Sequence, residues 1–500
     1  MGGDGQRSTT ATGRAIFADC VRSVDPALCA RIEHTSDWRN AYLRPVRDIV
    51  LAAAASTDAA QTVSSAGLES AHRRFTFVRG DQELALGAAL ERYRTPGLAS
   101  VEVRGRQPRE AELTLPYKGR RLFGSDLRRQ IDAWVTAGIA EPGFAAALHL
   151  LLDNPDWLDL HDVDLAIIGA GAEMGPTRSL LRWGARVHAV DLPRPELWTK
   201  LIGIARSTAG ALRIPIALDA DGVPPFVVGG QVHPEDDPVV AAAAGTDILR
   251  YLPETRTWIG EIEQPFVLGT YAYADGATHA LLSMACDALA ADLTASRDDI
   301  TLAFLATPTD AFMVPMSAVQ ESRRRWQSRG LSSLLQNPLR LLGQFEPNYA
   351  ESYRTAAGLE FGINDSLVPQ QGPNYVLAKR IQRWRAIVAR ASGTPVSANI
   401  APATRTASVV RNRALAAAYA GAGRFGVEVF EPATSTTLMA ALLVHDLRNP
   451  AAAANPATSL RNPMDLFAAA ANHGGLWRAA YEPRSVLGIA ALLGMFDARA

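Results

Sequence analysis

Along much of this chain, short apolar runs alternate with longer stretches in which apolar residues recur every three or four positions. The first pattern reads as buried strand and the second as amphipathic helix. The alternation is sharpest from Asp164 to Asp191, DLAIIGAGAEMGPTRSLLRWGARVHAVD. Leu165 to Ile168 form a run suited to a parallel strand covered on both faces. Gly169, Gly171 and Gly175 follow; Leu180, Leu181 and Trp183 then give a helical face that stops at Gly184, and Val187 to Val190 read as a second strand ending at Asp191.

Downstream the pattern repeats. It predicts helices over 195–209, 276–293 and 372–390, strands over 245–249, 265–269, 300–306 and 395–402, and a loop-rich segment over 215–238 that leaves the sheet edge. Strands alternating with helices at this interval predict an α/β protein with a doubly wound parallel sheet, Rossmann-like, with its core in 159–310 and 361–450. Residues 311–360 break the rhythm with helical pieces at 318–327 and 331–342 and an aromatic stretch at 345–349, and read as an inserted helical lid. Upstream, 15–158 is a mixed α/β region, mostly helical, expected to be a cap or dimerisation surface. Its helices are predicted over 40–60, 81–93, 124–137 and 143–154, and its short strands over 99–104 and 112–115. Residues 1–14 are rich in Gly, Ser and Thr and are expected to be a disordered tail, and 451–500 is expected to be a helical extension.

Composition narrows the function. A formal charge of −1 with 20% charged residues gives no basic surface for nucleic acid. Arg323 to Arg325 read as a solvated helix face. Cys20, Cys29 and Cys286 are too scattered for a disulfide framework or a metal site. The best apolar run, Val486 to Leu493, is too short to span a membrane, and the amino-terminal residues lack the pattern of a secretory signal, so a cytoplasmic protein is expected. Only three lysines occur, Lys118, Lys200 and Lys379, against a large excess of arginine.

The chemistry begins at the glycine turn. Glycines after a first strand let the backbone bend and approach a pyrophosphate, and an acid at the end of the next strand accepts from ribose hydroxyls. Gly169, Gly171, Glu173, Met174, Gly175 and Asp191 are thus candidates for cofactor binding. The spacing is GxGxxxG, and S-adenosylmethionine sites use the same turn and acid. A second motif lies in PNYVLAKRIQRW, where Tyr375 and Lys379 stand four apart at a helix start and share a face. An ammonium near a phenol favours the phenolate and lowers its pKa from about 10 toward the working range.

Taken in order, IIGAGAEMG, YVLAK and VSANIAPATRT resemble the glycine turn, the YxxxK pair and the proline-ended strand of the short-chain dehydrogenase/reductase family. GVEVFEPATSTTLMAALL is similar to a late helix of that family. The resemblance covers about 162–310 and 360–445. It implies Tyr375 as general acid/base, Lys379 as the residue that tunes it and holds the ribose, Asp247 at the adenine and Thr406 at the cofactor. The family's serine has no clean counterpart, and Thr307 and Ser366 both remain open for polarising a carbonyl. Glu173 replaces a glycine where phosphates would lie, and Ala403 replaces the glycine after the strand proline. Asp191 favours NAD over NADP, while Arg194 keeps NADP open. The expected partner is a small-molecule substrate, bulky and apolar in view of the aromatic insertion, and the family often forms homo-oligomers. Three functions compete: an NAD(P)-dependent oxidoreductase, an S-adenosylmethionine-dependent methyltransferase, and a non-catalytic nucleotide-binding protein with a degenerate site.

Overall fold

The computed structural model describes residues 8–218, 232–330, 336 and 338–497. Its central sheet has seven strands: β1 (Leu98–Arg104), β2 (Asp164–Ile168), β3 (Arg186–Val190), β4 (Ala211–Ala217), β5 (Phe266–Thr270), β6 (Ile300–Ala306) and β7 (Val396–Ile400). They lie in the order β7-β6-β5-β2-β3-β4-β1. Strands β2 to β7 are parallel, and β1 runs antiparallel along β4. Among themselves the six parallel strands stand third-second-first-fourth-fifth-sixth, so the chain starts in mid-sheet, winds out to one side and returns to the other.

Every residue of β2 is buried. Because strand side chains alternate, Leu165 and Ile167 enter one core and Ala166 and Ile168 the other. The first core is covered by helices Pro142–Asp153, Pro195–Arg206 and Pro432–Arg448, and the second by Thr9–Val21, Thr57–Arg74, Gly276–Ser296 and Pro373–Ala391.

The amino-terminal region is therefore part of the core. Residues 8–14, expected to be disordered, open the helix Thr9–Val21, which Ser8 caps by accepting from the Ala11 N–H at 3.3 Å. That helix lies so close to Pro373–Ala391 that a Cβ on Gly13 would stand 3.3 Å from Leu377. A side chain on Gly67 would likewise meet the Trp384 ring at 2.7 Å. The helix expected over 40–60 is two, Leu43–Ala54 and Thr57–Arg74, divided where Ser56 caps the second. The helix expected over 81–93 begins only at Leu86. Gly80, at φ +56°, turns Thr76–Arg79 back onto Gln82–Ala85 as a hairpin. The strand expected over 112–115 is Leu115–Tyr117, paired with Arg120–Leu122 through a turn with positive φ at Lys118 and Gly119.

Strand β4 is where the sequence reading fails. Residues 215–217 were expected in a loop, yet they end a sheet strand. Pro215 is tolerated because the β3–β4 ladder stops at His188 with Arg213, so its missing N–H costs that ladder nothing. The expected strand over 245–249 is a turn that enters the helix Leu252–Gly260, and 237–243 is helical. The loop expected around Val227 falls outside the described residues, as do residues 331–335 and 337 of the helical piece expected over 331–342. The insertion itself carries a three-stranded antiparallel sheet of Ala311–Pro315, Glu360–Asp365 and Tyr353–Arg354, besides the helix Met316–Gln327. Between 451 and 482 the expected helical extension has only the four-residue helix Asp465–Ala468, and it ends in the helix Pro483–Asp497. Among the described residues no helix is long and apolar enough to cross a membrane.

Candidate functional site

A cavity of about 860 Å³ opens at the carboxyl ends of the parallel strands, the edge where open α/β sheets bind ligands. Gly169, Gly171, Glu173, Met174, Asp191, Asp247, Thr307, Ser366, Tyr375, Lys379 and Thr406 all line it; of the residues singled out from sequence only Gly175 does not.

The glycine turn is tight for definite reasons. Gly169 sits at φ +82°, and a Cβ there would lie 2.5 Å from the Ala272 backbone. Two successive turns follow, Ala172 N–H donating to the Gly169 carbonyl and Gly175 N–H to the Ala172 carbonyl. The helix then begins only at Thr177, behind Pro176, and has six residues. A seat for a pyrophosphate on a helix N-terminus directly after the glycines is thus not formed, because the extra turn displaces the helix and proline removes an N–H. Asp191 reaches back to the turn, its carboxylate accepting from the N–H groups of Gly171 and Leu192, each at 2.8 Å. Burial nevertheless pushes the Asp191 carboxyl above the usual range. Glu173 points across the turn, where it accepts from the Ala407 N–H at 2.9 Å. Thr406 stands at the start of the short helix Ala407–Arg411, its hydroxyl 3.0 Å from that of Ser408. Asp247 holds its own loop by accepting from the Leu249 N–H. Beside it Thr246 lines the cavity, and its buried hydroxyl has no protein partner.

The other chemical group sits at the ends of β5 and β6 and the start of the helix Pro373–Ala391. Lys379 Nζ donates to the Leu305 carbonyl at 3.1 Å and to Gln382 Oε1 at 3.2 Å, and lies 6.0 Å from the centre of the Tyr375 ring. Burial lowers the Lys379 pKa to about 8, against the attraction of Asp310. The Tyr375 phenol departs from the sequence expectation. Burial raises its pKa well above the ordinary value, although the Thr307 hydroxyl beside it favours the phenolate. Desolvation of a phenolate dominates, and the Lys379 ammonium is directed at the Leu305 carbonyl and Gln382 instead of at the phenol.

Between the two hydroxyls left open by the sequence, the geometry distinguishes clearly. Thr307, at the end of β6, neighbours Tyr375 and bonds Thr309 at 2.9 Å. Ser366 is fully buried and donates to Asn364 Oδ1 at 2.7 Å.

Four residues here escaped the sequence reading. His279 stacks on Tyr375 at 5.4 Å between ring centres, its Nδ1 accepts from the Ala274 N–H, and its buried Nε2 has no protein partner. Burial, with the Lys379 charge, brings its pKa to about 3. Gln371 donates to the carbonyl and hydroxyl of Thr309. Asp310 is ion-paired in the interior with Arg380 and Arg383 and so ties the Thr307 loop to the Tyr375 helix. Tyr419 is close enough to Tyr375 to act on it electrostatically. Only His279 had a visible signal, a histidine just past a strand run.

Among the described residues none of 310–365 lines the cavity, so the described part of the expected lid does not cover the site. Its aromatic residues Phe345 and Tyr349 do not line the cavity: Phe345 packs behind the wall residue Tyr481 at 5.5 Å, and Tyr349 donates to the Trp477 carbonyl. Instead the cavity is walled by Arg413–Gly421 and Pro483–Asp497, with Phe425 and Val427 between. No protein-family model matches the chain, and neither does any curated protein or solved structure.

Proposed function

We propose that the protein is an NAD(P)-dependent oxidoreductase of short-chain dehydrogenase/reductase type, interconverting an alcohol and a carbonyl. The observation that carries this is the convergence of Tyr375, Thr307 and Lys379 in the same cavity as Gly169, Gly171 and Asp191. The strand order supports it, being that of dinucleotide-binding sheets. The cofactor half suits an adenosine: a Cβ on Gly171 would crowd Asp191 at 3.3 Å, and Thr246 offers an unused hydroxyl. A bound nicotinamide would supply or accept the hydride. Thr307 donates to the substrate oxygen, and Tyr375, kept protonated by burial, gives its proton to that oxygen as negative charge develops. Lys379 has three donors and spends two on Leu305 and Gln382, leaving one for a ligand hydroxyl. NAD is favoured by Asp191, and Arg194 in the cavity lining keeps NADP open.

A second reading, an S-adenosylmethionine-dependent methyltransferase, draws on the missing helix N-terminus and on Glu173 at the turn. A sulfonium ligand carries no diphosphate, so it needs no helix N-terminus and meets no repulsion from the Glu173 carboxylate. The test is thermal stabilisation by NAD(H), NADP(H) and S-adenosylmethionine side by side, since a ligand at a hundred times its Kd stabilises the folded form by about 2.7 kcal/mol. A shift with a nicotinamide cofactor alone is expected. A shift with S-adenosylmethionine alone replaces the reading, and binding without turnover of any carbonyl leaves a non-catalytic nucleotide site.

A further inference from the structure

Among the described residues, the charged ones that line the cavity are Glu173, Asp191, Arg194, Asp247, Asp275 and Lys379. They lie in the glycine turn, in the loops after β3 and β5, in the turn before the helix Leu252–Gly260, or on the Tyr375 helix. Among the lining residues of 413–429 and 476–490 there is no charged side chain. Leu415, Ala418, Tyr419, Phe425, Val486 and Leu487 are representative. The polar tip of Tyr481, also in this wall, is engaged by Gln336 at 3.0 Å. A carboxylate, phosphate or thioester-linked nucleotide placed here would lose its hydration with no cation to replace it.

The wall is also built to keep its shape. Its two helices cross with backbones in near contact, since a Cβ on Gly421 would stand 2.1 Å from the Ala490 carbonyl oxygen and one on Gly494 2.0 Å from that of Ala417. Phe425 and Tyr481, both lining the cavity, meet edge-on at 5.9 Å. The apolar space joins the reacting end directly, because Leu415 and Tyr419 of this wall line the same cavity as Thr307 and Tyr375.

We propose, resting on the hydride-transfer reading, that the substrate is a neutral molecule with a long or bulky hydrocarbon body, its alcohol or carbonyl at Tyr375 and its body between the helices Arg413–Gly421 and Pro483–Asp497. Water-excluding burial of each methylene is the source of affinity, and the absence of charge in the wall is the source of discrimination against fatty acids and acyl phosphates.

The test has two arms. In the first, aliphatic aldehydes from four to fourteen carbons are reduced with NADH or NADPH. We expect kcat/KM to rise about threefold per added methylene before levelling off. The second arm needs no cofactor: displacement of the neutral fluorophore N-phenyl-1-naphthylamine by 1-dodecanol and by dodecanoate. Dodecanol is expected to displace at least tenfold more tightly. Ala418→Trp and, independently, Leu487→Trp should weaken dodecanol at least tenfold while leaving stabilisation by the nicotinamide cofactor in place. If dodecanol displaces the probe but no nicotinamide cofactor stabilises the protein, the hydride reading falls and the ligand class stands. If a cofactor stabilises and turnover is confined to short or anionic carbonyls, or dodecanoate equals dodecanol, the ligand class is overturned and the hydride reading stands. Absence of displacement by either also overturns it.

Discussion

On one side of the cavity the walls are strand ends: Gly169 leaves β2, Asp191 leaves β3 and Thr307 leaves β6. On the other side they are two helices outside the sheet, from parts of the chain far apart in sequence. The first side is polar, and many of its polar groups already have partners within the chain: Asp191 with Gly171 and Leu192, Glu173 with Ala407, Lys379 with Leu305 and Gln382. The second is apolar and held by close backbone contact. A polar wall fixed by hydrogen bonds orients a ligand and moves protons. An apolar wall held by glycine contacts selects by size and charge. The two jobs can therefore be broken separately.

The largest effect is expected from Tyr375→Phe. It removes only the transferable proton, so turnover should fall about 100-fold to 10,000-fold while stabilisation by cofactor persists. Equal turnover would strip Tyr375 of its role and leave the polar side as a binding surface only. Next is Asp310→Asn. Arg380 and Arg383 are 3% and 5% exposed and share this one carboxylate. Removing its charge leaves two buried guanidinium groups uncompensated, at a cost of about 3–5 kcal/mol in urea unfolding. Loss of much less would mean the ion pairs contribute little to holding the Thr307 loop against the Tyr375 helix.

The pH dependence follows from Lys379. Its pKa in the folded protein, about 8, lies below its unfolded value. Between those values the unfolded chain binds the extra proton, so stability should rise with pH above about 8, by on the order of 3 kcal/mol in total. In Lys379→Met that rise should be absent. Turnover in the reductive direction should move the opposite way, falling above pH 8 as the ammonium is lost. A flat profile in both measurements would show that Lys379 does not titrate there.

How much of this could be seen in the sequence divides along the same line as the cavity. Gly169, Asp191, Tyr375 and Lys379 carry local patterns, a strand followed by glycines and a tyrosine four before a lysine, and one wall of one cavity gathers them. Thr307 was visible only as the end of an apolar run. The apolar wall was not legible, because Leu415, Ala418, Val486 and Leu487 look like any helical stripe until the helices are brought together. The aromatic insertion at 345–349 misled for a related reason: aromatic side chains signal burial, and here Phe345 is buried behind the wall residue Tyr481 and Tyr349 against Trp477, neither of them lining the cavity. Strand β4 was lost to Pro215, whose harmlessness depends on where its neighbour's ladder stops.

Thr307 and Ser366 give a finer test of the polar side. Thr307→Val should lower kcat about 10-fold to 100-fold, the worth of a hydrogen bond to a developing charge. Ser366→Ala should leave kcat within about threefold, since its hydroxyl is spent on Asn364, and should cost about 1 kcal/mol of stability instead. The reverse pattern would exchange their roles.

The smallest effect concerns Glu173. Its carboxylate stands at the turn where a diphosphate would lie, yet it is aimed at the Ala407 N–H. Glu173→Gln keeps an acceptor for that N–H and removes the charge. At an exposed site a unit charge near a diphosphate is worth at most about 1 kcal/mol in water, so NAD(H) should bind about twofold to fivefold more tightly by calorimetry at low salt. The gain should vanish at 0.5 M salt, where screening removes it. An unchanged Kd at low salt would place the phosphates away from the turn, and a weaker one would mean that the charge on Glu173, through Ala407, holds the helix Ala407–Arg411 where the cofactor needs it.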